Sequence, residues 1–165
     1  MSVLCAARRE IPLRSSRLVT KLMQQSWRLT RGLTLGAQAM VIDPDDRILL
    51  IRHTYRPGWH FPGGGVERHE TVEAALAREL HEEAAVVLTG RPELFGIYAN
   101  FRSFPSDHVA LFITREWEQP IAPQPNHEIA AHGFFARSAL PDDIGRSAAR
   151  RLREVFDGEA RSLMW

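Results

Sequence analysis

Past residue 32 the chain alternates short apolar runs with polar breaks. Residues 33–42 (LTLGAQAMVI) and 47–53 (RILLIRH) have the length and aliphatic content of strands. DPDD at 43–46 is a strong turn signal between them, so the pattern predicts a hairpin. A loop containing Pro57-Gly58 and Pro62-Gly63 leads into a predicted helix over 71–84, whose apolar stripe is Leu76, Ala77, Leu80 and Ala84. Residues 94–99 and 108–114 read as two further strands, 120–126 (PIAPQPN) as a loop and 133–136 as a short last strand. Residues 147–156 read as a closing helix with Leu152, Val155 and Phe156 on its apolar side. Upstream, Leu18, Leu22, Met23 and Trp27 predict an amphipathic helix over 16–30, ended at Gly32. The expectation is a basic N-terminal segment, 1–31, followed by one α/β domain, 32–165.

Composition changes this picture little. A chain of 165 residues with 44% apolar and 25% charged content is an ordinary globular one with room for a real core. The net charge of +1 hides an uneven spread. Basic residues run from Arg8 to Arg31 against the single acid Glu10, while acids concentrate between Glu67 and Glu83. The basic helix would touch RNA or acidic lipid, or would simply cover an edge of the core; solvated charged faces are common and favour the second reading. Cys5 is the only cysteine, which excludes a disulfide framework and a thiolate zinc cluster and suits a reducing cytoplasm. No apolar run approaches the roughly 18 residues of a membrane span. The Arg- and Ser-rich start resembles an organelle transit peptide, but a patterned helix running into the first strand favours a cytoplasmic protein.

The chemistry gathers in HFPGGGVERHETVEAALARELHEEAAV, residues 60–86. Thr71 suits a helix N-cap and Glu73 the positive end of the helix dipole. At helical spacing Glu79, Glu82 and Glu83 fall within roughly 100° of arc, beside the apolar stripe rather than opposite it. Carboxylates so spaced have β-carbons about 5–6 Å apart and destabilise a helix. Partial burial would also raise their pKa values. A divalent cation removes both problems, and all-oxygen ligation suits Mg²⁺ or Mn²⁺ better than zinc. Gly63, Gly64 and Gly65 let backbone approach a ligand without β-carbons in the way. The plainer alternative is a solvated acidic helix face after a flexible loop.

The spacing is Gly64, five residues, Glu70, seven residues, Arg78-Glu79-Leu80, one residue, Glu82-Glu83, one residue, Ala85-Val86. This resembles the Nudix box, G-x5-E-x7-R-E-U-x-E-E-x-G-U with U a bulky apolar residue; only the late glycine departs, replaced by Ala85. The resemblance implies an α/β/α sandwich with a mixed sheet. It also implies Mg²⁺-dependent hydrolysis of a nucleoside diphosphate linked to another group, with Mn²⁺ able to substitute. Carried over by position, it makes Glu79 and Glu83 the principal metal ligands, with Glu82 close behind and the carbonyl of Gly63 a further ligand. Arg78 and Glu70 would pair and hold the acidic helix. Some members of the family use a glutamate outside the box as general base; Glu128, in NHEI, is the candidate here.

Beyond the box, Gly64 and Gly65 are expected to admit the diphosphate and Trp59 to stack on a base, with Phe61 in the core. His60 could reach a phosphate or serve packing. In the loop at 100–108, Arg102 suits a distal phosphate and Phe104 a base. Arg52 and Arg56 face the pocket or solvate strand ends. The expected partner is a small nucleotide-derived substrate; the oligomeric state is left open by the sequence, a homodimer being one option because the resembled family often pairs. Two other readings stand beside the hydrolase: a module that senses a nucleotide without cleaving it, and an enzyme acting on the 5′ end of RNA. A sensor would be expected to have lost box carboxylates, and this chain keeps them all.

Overall fold

Strand β1 (Thr34–Val41) has both of its edges occupied. The computed structural model of the chain describes residues 32–102 and 104–165; the helix expected over 16–30 lies outside them. One edge of β1 pairs antiparallel with β3 (Gly63–Gly65). The other runs parallel to β6 (Asp107–Thr114), which pairs antiparallel with β5 (Glu93–Ala99). The product is a four-stranded mixed sheet, ordered β3-β1-β6-β5. Strand β2 (Ile48–His53) pairs antiparallel with β8 (Ile129–Phe135), and the short β4 (Val87–Leu88) with β7 (Trp117–Glu118). The helices are α1 (Val72–Ala84) and α2 (Arg146–Phe156), with one 3-10 turn at Arg137–Ala139.

The two-residue period of the strands sorts side chains between two cores. From β1, Ala37, Ala39 and Val41 join Leu76, Leu80 and Ala84 of α1. Met40 and the neighbouring Ile42 join Ala148 and Leu152 of α2. β2 divides likewise, Leu49 and Ile51 going to the first core, Ile48 and Leu50 to the second. So does β6, with Ala110 and Phe112 against Leu111. Strands buried on both faces explain why these segments read as unbroken apolar runs. The two helices cover opposite faces, and the architecture is the expected α/β/α sandwich.

Two expectations need correction. The hairpin over 33–53 does not form: the DPDD turn is present, with Asp43 accepting the N–H groups of Asp45 and Arg47, but only the bridge Ile42–Ile48 joins β1 to β2. The edge a hairpin partner would take is filled by Gly63–Gly65, so β2 pairs with β8 instead. The glycine run is therefore a strand, registered on Gly36, Ala37 and Gln38, rather than a loop. Gly63 has φ +132°, and a β-carbon there would collide with the Ala37 carbonyl oxygen. Among the described residues, no helix is long and apolar enough to cross a membrane.

Candidate active site

The acidic helix is held by local features. Thr71 Oγ1 caps α1 by accepting the Ala74 N–H at 3.2 Å. At the other end Ala85 takes the left-handed conformation, φ 52° and ψ 27°, with its N–H directed at the carbonyls of His81 and Leu80. The helix buries Ala75, Leu76, Leu80 and Ala84, and Glu83 with them.

Arg78 organises one half of the site. Its Nε and Nη2 donate to the two carboxylate oxygens of Glu70 at 3.0 and 3.1 Å, a forked pairing. Nη2 also donates to the Gly65 carbonyl at 3.1 Å, and Nη1 donates to Glu79 at 2.7 Å and to Glu82 at 3.3 Å. One guanidinium thus joins α1, the loop before it and the glycine strand. Its bonds, with the Glu67 N–H, hold the Glu70 carboxyl below its ordinary range. The carboxylate of Glu79 lies so near Gly64 that a β-carbon on Gly64 would come within 2.5 Å of it.

Glu83 organises the other half. It is 7% exposed, and its Oε2 accepts the Gly63 N–H at 2.6 Å. Burial pushes its carboxyl up to about 8, and the charges of Glu79, Glu128 and Glu82 add to that against the Gly63 bond. His53 Nδ1 stands 3.9 Å from Glu83 Oε1. One ligand atom each from His53, Glu83 and Glu128 lies within 4.8 Å of the others. Glu128 precedes β8, where the Asn126 side chain accepts its N–H at 2.8 Å and the Tyr55 hydroxyl donates to its Oε1 at 3.2 Å. The β2–β8 register shifts at Arg52/His53, and such bulges re-aim side chains at sites.

The structure therefore groups Glu83 with Glu128, the candidate from outside the box, whereas Glu79 and Glu82 turn towards Arg78. Glu82 is the most open of the three, its side chain 59% exposed. Trp59 packs edge-on against Phe135, and the Arg52 guanidinium lies 5.0 Å from its ring centre. Phe61 is in the core. His60 is buried and bonded to the Pro57 carbonyl at 2.8 Å, with burial lowering its pKa. Arg102 and Phe104 are both exposed; Arg102 lines a cleft of about 560 Å³ shared with α2. His53 and Tyr55 were not singled out from the sequence. Their only signal is position, in a polar RHTY at the end of the apolar run 48–51. They line a second cleft, about 410 Å³, with Arg52, Arg56 and Asp143.

A divalent cation fits these residues. Among the described residues, His53 Nδ1 is buried without a hydrogen-bond partner, and Arg78 is the arginine that forms ion pairs with the acids of this helix face. Two carboxylates and an imidazole, with the carboxylates of Glu79 and Glu82 on the same helix, supply a largely oxygen donor set of the kind a divalent cation takes.

Comparison with known proteins agrees. The family described as NUDIX domain matches residues 32–156. Among curated relatives, an 8-oxo-dGTP diphosphatase of Proteus vulgaris is 40% identical over 65 residues, 38% of this chain and 55% of that protein. An RNA pyrophosphohydrolase of Cellvibrio japonicus is 32% identical over 103 residues, 62% of this chain and 46% of that one. The chain spans about half the length of the curated relatives it matches. A solved structure, the MutT NUDIX hydrolase of Burkholderia pseudomallei, superposes with TM-score 0.64 at 27% identity, covering 75% of this chain and 98% of that one. With the box, the sandwich and a family match that takes in both helices and every strand, the chain belongs to the NUDIX domain family.

Proposed function

We propose that this protein is a metal-dependent hydrolase that cleaves a diphosphate linkage in a nucleoside diphosphate derivative. The observation that carries the proposal is the convergence of Glu83, Glu128 and His53 beside the glycine strand. Glu79, Glu82 and Glu83, with the Gly63 carbonyl, would hold Mg²⁺; the nearby His53 nitrogen makes Mn²⁺ a ready substitute. The cation would neutralise phosphate oxygens during the reaction. Glu128 takes the proton of the attacking water, held for that task by the Tyr55 hydroxyl and the Asn126 cap. Water oxygen bonds to one phosphorus, the anhydride P–O bond breaks, and the other phosphate leaves with the electron pair. Arg78 and Glu70 position the acidic helix, and Gly64 and Gly65 leave room for the diphosphate. Arg102 and Phe104 are assigned to the remote part of the substrate, while Trp59, engaged by Phe135 and Arg52, supports the wall of the site.

A nucleotide sensor is the weaker reading, because such a module would be expected to have lost box carboxylates and this chain keeps Glu79, Glu82 and Glu83. The 5′ end of RNA is a specific second substrate reading, favoured by the named activity of the Cellvibrio japonicus relative. Residues 1–31 are assigned as a basic segment apart from the catalytic domain 32–165. The lone cysteine supports a cytoplasmic setting. Pairing of two chains is tested by light scattering of the purified protein.

The test of activity is release of phosphate or mononucleotide from nucleoside triphosphates, ADP-ribose, nucleotide sugars, dinucleotides and 5′-triphosphate RNA. Each is assayed with Mg²⁺ or Mn²⁺, with and without chelator, for the wild type and Glu83→Gln. Turnover that requires metal and is lost in the variant supports the hydrolase and identifies its substrate. Saturable binding without turnover on any of them overturns it in favour of the sensor.

A further inference from the structure

The larger cleft is lined by five arginines, Arg56, Arg102, Arg146, Arg150 and Arg153, with Asn100 and Trp165 among its other walls. They come from three separate parts of the fold: the segment after β2, the loop between β5 and β6, and the exposed face of α2. Arg146, Arg150 and Arg153 share that face at spacings of four and three residues, because Ala148 and Leu152 face the core. Like charges at these spacings repel, and Arg146 also stands in the first turn, where the helix dipole disfavours a cation.

Several acids of the same region already have partners, Asp107 among them, which accepts from Asn100 of the cleft wall at 2.7 Å. Asp143 pairs with Arg52 at 2.5 Å and Glu154 with the buried Arg151 at 2.6 Å. Glu159 pairs with Arg153 at 3.0 Å. Among the described residues, no carboxylate lies within ion-pair distance of Arg56, Arg102, Arg146 or Arg150. Four guanidinium groups thus line one cavity without an ion-pair partner among the described residues. Folding by itself gains nothing from that arrangement, whereas a bound polyanion would offset it.

The cleft is also placed to matter. Arg56 lines both it and the smaller cleft, and the smaller cleft includes His53, 3.9 Å from Glu83. Arg56 is thus the residue the two clefts share, and an extended ligand with one phosphate near Glu83 would have to pass it to meet Arg102, Arg146 and Arg150. Guanidinium forks suit phosphate oxygens, and Trp165 adds an aromatic wall. We infer that the arginine cleft is a second phosphate-binding site, which takes phosphoryl groups of the substrate remote from the bond that is cleaved. The word substrate rests on the hydrolase reading; the phosphate site itself does not.

The test is therefore equilibrium binding in chelator, where turnover is absent. Two probes are used, inorganic tripolyphosphate and a 5′-monophosphorylated single-stranded oligoribonucleotide, with wild type, the double variant Arg146→Ala/Arg150→Ala, the loop variant Arg102→Ala and Glu83→Gln. The inference expects at least one probe to bind, Glu83→Gln to bind as well as wild type, and the double variant to lose at least tenfold. Arg102→Ala, in an exposed loop that does not support the core, is expected to weaken the same probe and guards against misfolding of the double variant. If the oligonucleotide is the ligand, each lost contact lowers the slope of log affinity against log salt by about 0.7. Tripolyphosphate binding assigns a short phosphate chain, and oligonucleotide binding alone assigns a phosphodiester backbone. Failure of both probes to bind wild type, or binding indifferent to the three arginines, overturns the site. Metal-dependent hydrolysis could survive that result, and its own failure would leave the binding result standing.

Discussion

Glu83 Oε2 accepts the N–H of Gly63 at 2.6 Å, so the most buried acid of α1 is tied to the first residue of the glycine strand. That bond favours the charged carboxylate while burial and the neighbouring acids oppose it more strongly. The helix and the strand are thereby docked through a group that lacks a fully compensating charge. A site in this condition is stable enough to fold and still gains from binding a cation.

Replacing Glu83 by Gln keeps an oxygen acceptor for Gly63 and removes the charge. The variant is expected to fold, with a melting temperature in chelator no lower than wild type near pH 8. Its turnover is expected to drop by about 10²–10⁴-fold. Calorimetry in chelator and steady-state assays with metal check the two halves separately.

Stability without metal should fall with rising pH. Glu83 binds its proton more tightly folded than unfolded, where its pKa is the ordinary 4.5. Its contribution is complete below that value and is lost as pH rises through about 8. Burial holds His53 and His60 below 6.5, which works in the opposite sense but only at lower pH. Between about pH 6.5 and 8 the Glu83 effect is therefore isolated, and above about 8 it levels off. Unfolding midpoints in chelator should fall across that window, and added Mg²⁺ should raise the midpoint more at pH 9 than at pH 6. A flat profile, with or without metal, would contradict this account of Glu83.

Arg78→Lys keeps a positive charge but loses the fork that grips Glu70, and with it the simultaneous reach to Gly65 and Glu79. The expected result is a melting temperature several degrees below wild type and a fall in kcat. Arg78→Ala should be worse on both counts, because three carboxylates then lose their cation. Equal, negligible effects of the two variants would show that Arg78 does not hold the helix.

Ala85→Gly tests the helix end. The left-handed conformation costs a residue with a β-carbon about 1–2 kcal/mol, and glycine gives back about 0.4–1 kcal/mol through the unfolded chain. The net expectation is a gain of roughly 0.5–1 kcal/mol with activity unchanged. A lower melting temperature would refute it.

The sequence by itself determined those features that depend on local spacing. The period of α1, the Thr71 cap and the boundary position of Glu83 follow from residues close in the chain, and the pairing of Arg78 with Glu70 from the family pattern. The family pattern, carried by the same short stretch, was legible for that reason. Ala85 shows the limit: the pattern identified the departure, and the backbone angles decided that the strain is borne rather than avoided.

Tertiary structure alone decided which strand fills which edge. Apolar runs buried on both faces carry no record of their partners, so nothing local revealed that Gly63–Gly65 would displace β2 from the edge of β1. The same holds for the site. Glu128 could be nominated, but its approach to Glu83, and the arrival of His53 and Tyr55 beside it, depend on the β2–β8 pairing and its register shift at Arg52/His53. The arginine cleft is the extreme case. Its arginines are drawn from positions 56 to 153, and only the packing of α2 against the sheet brings charges that repel one another into one cavity.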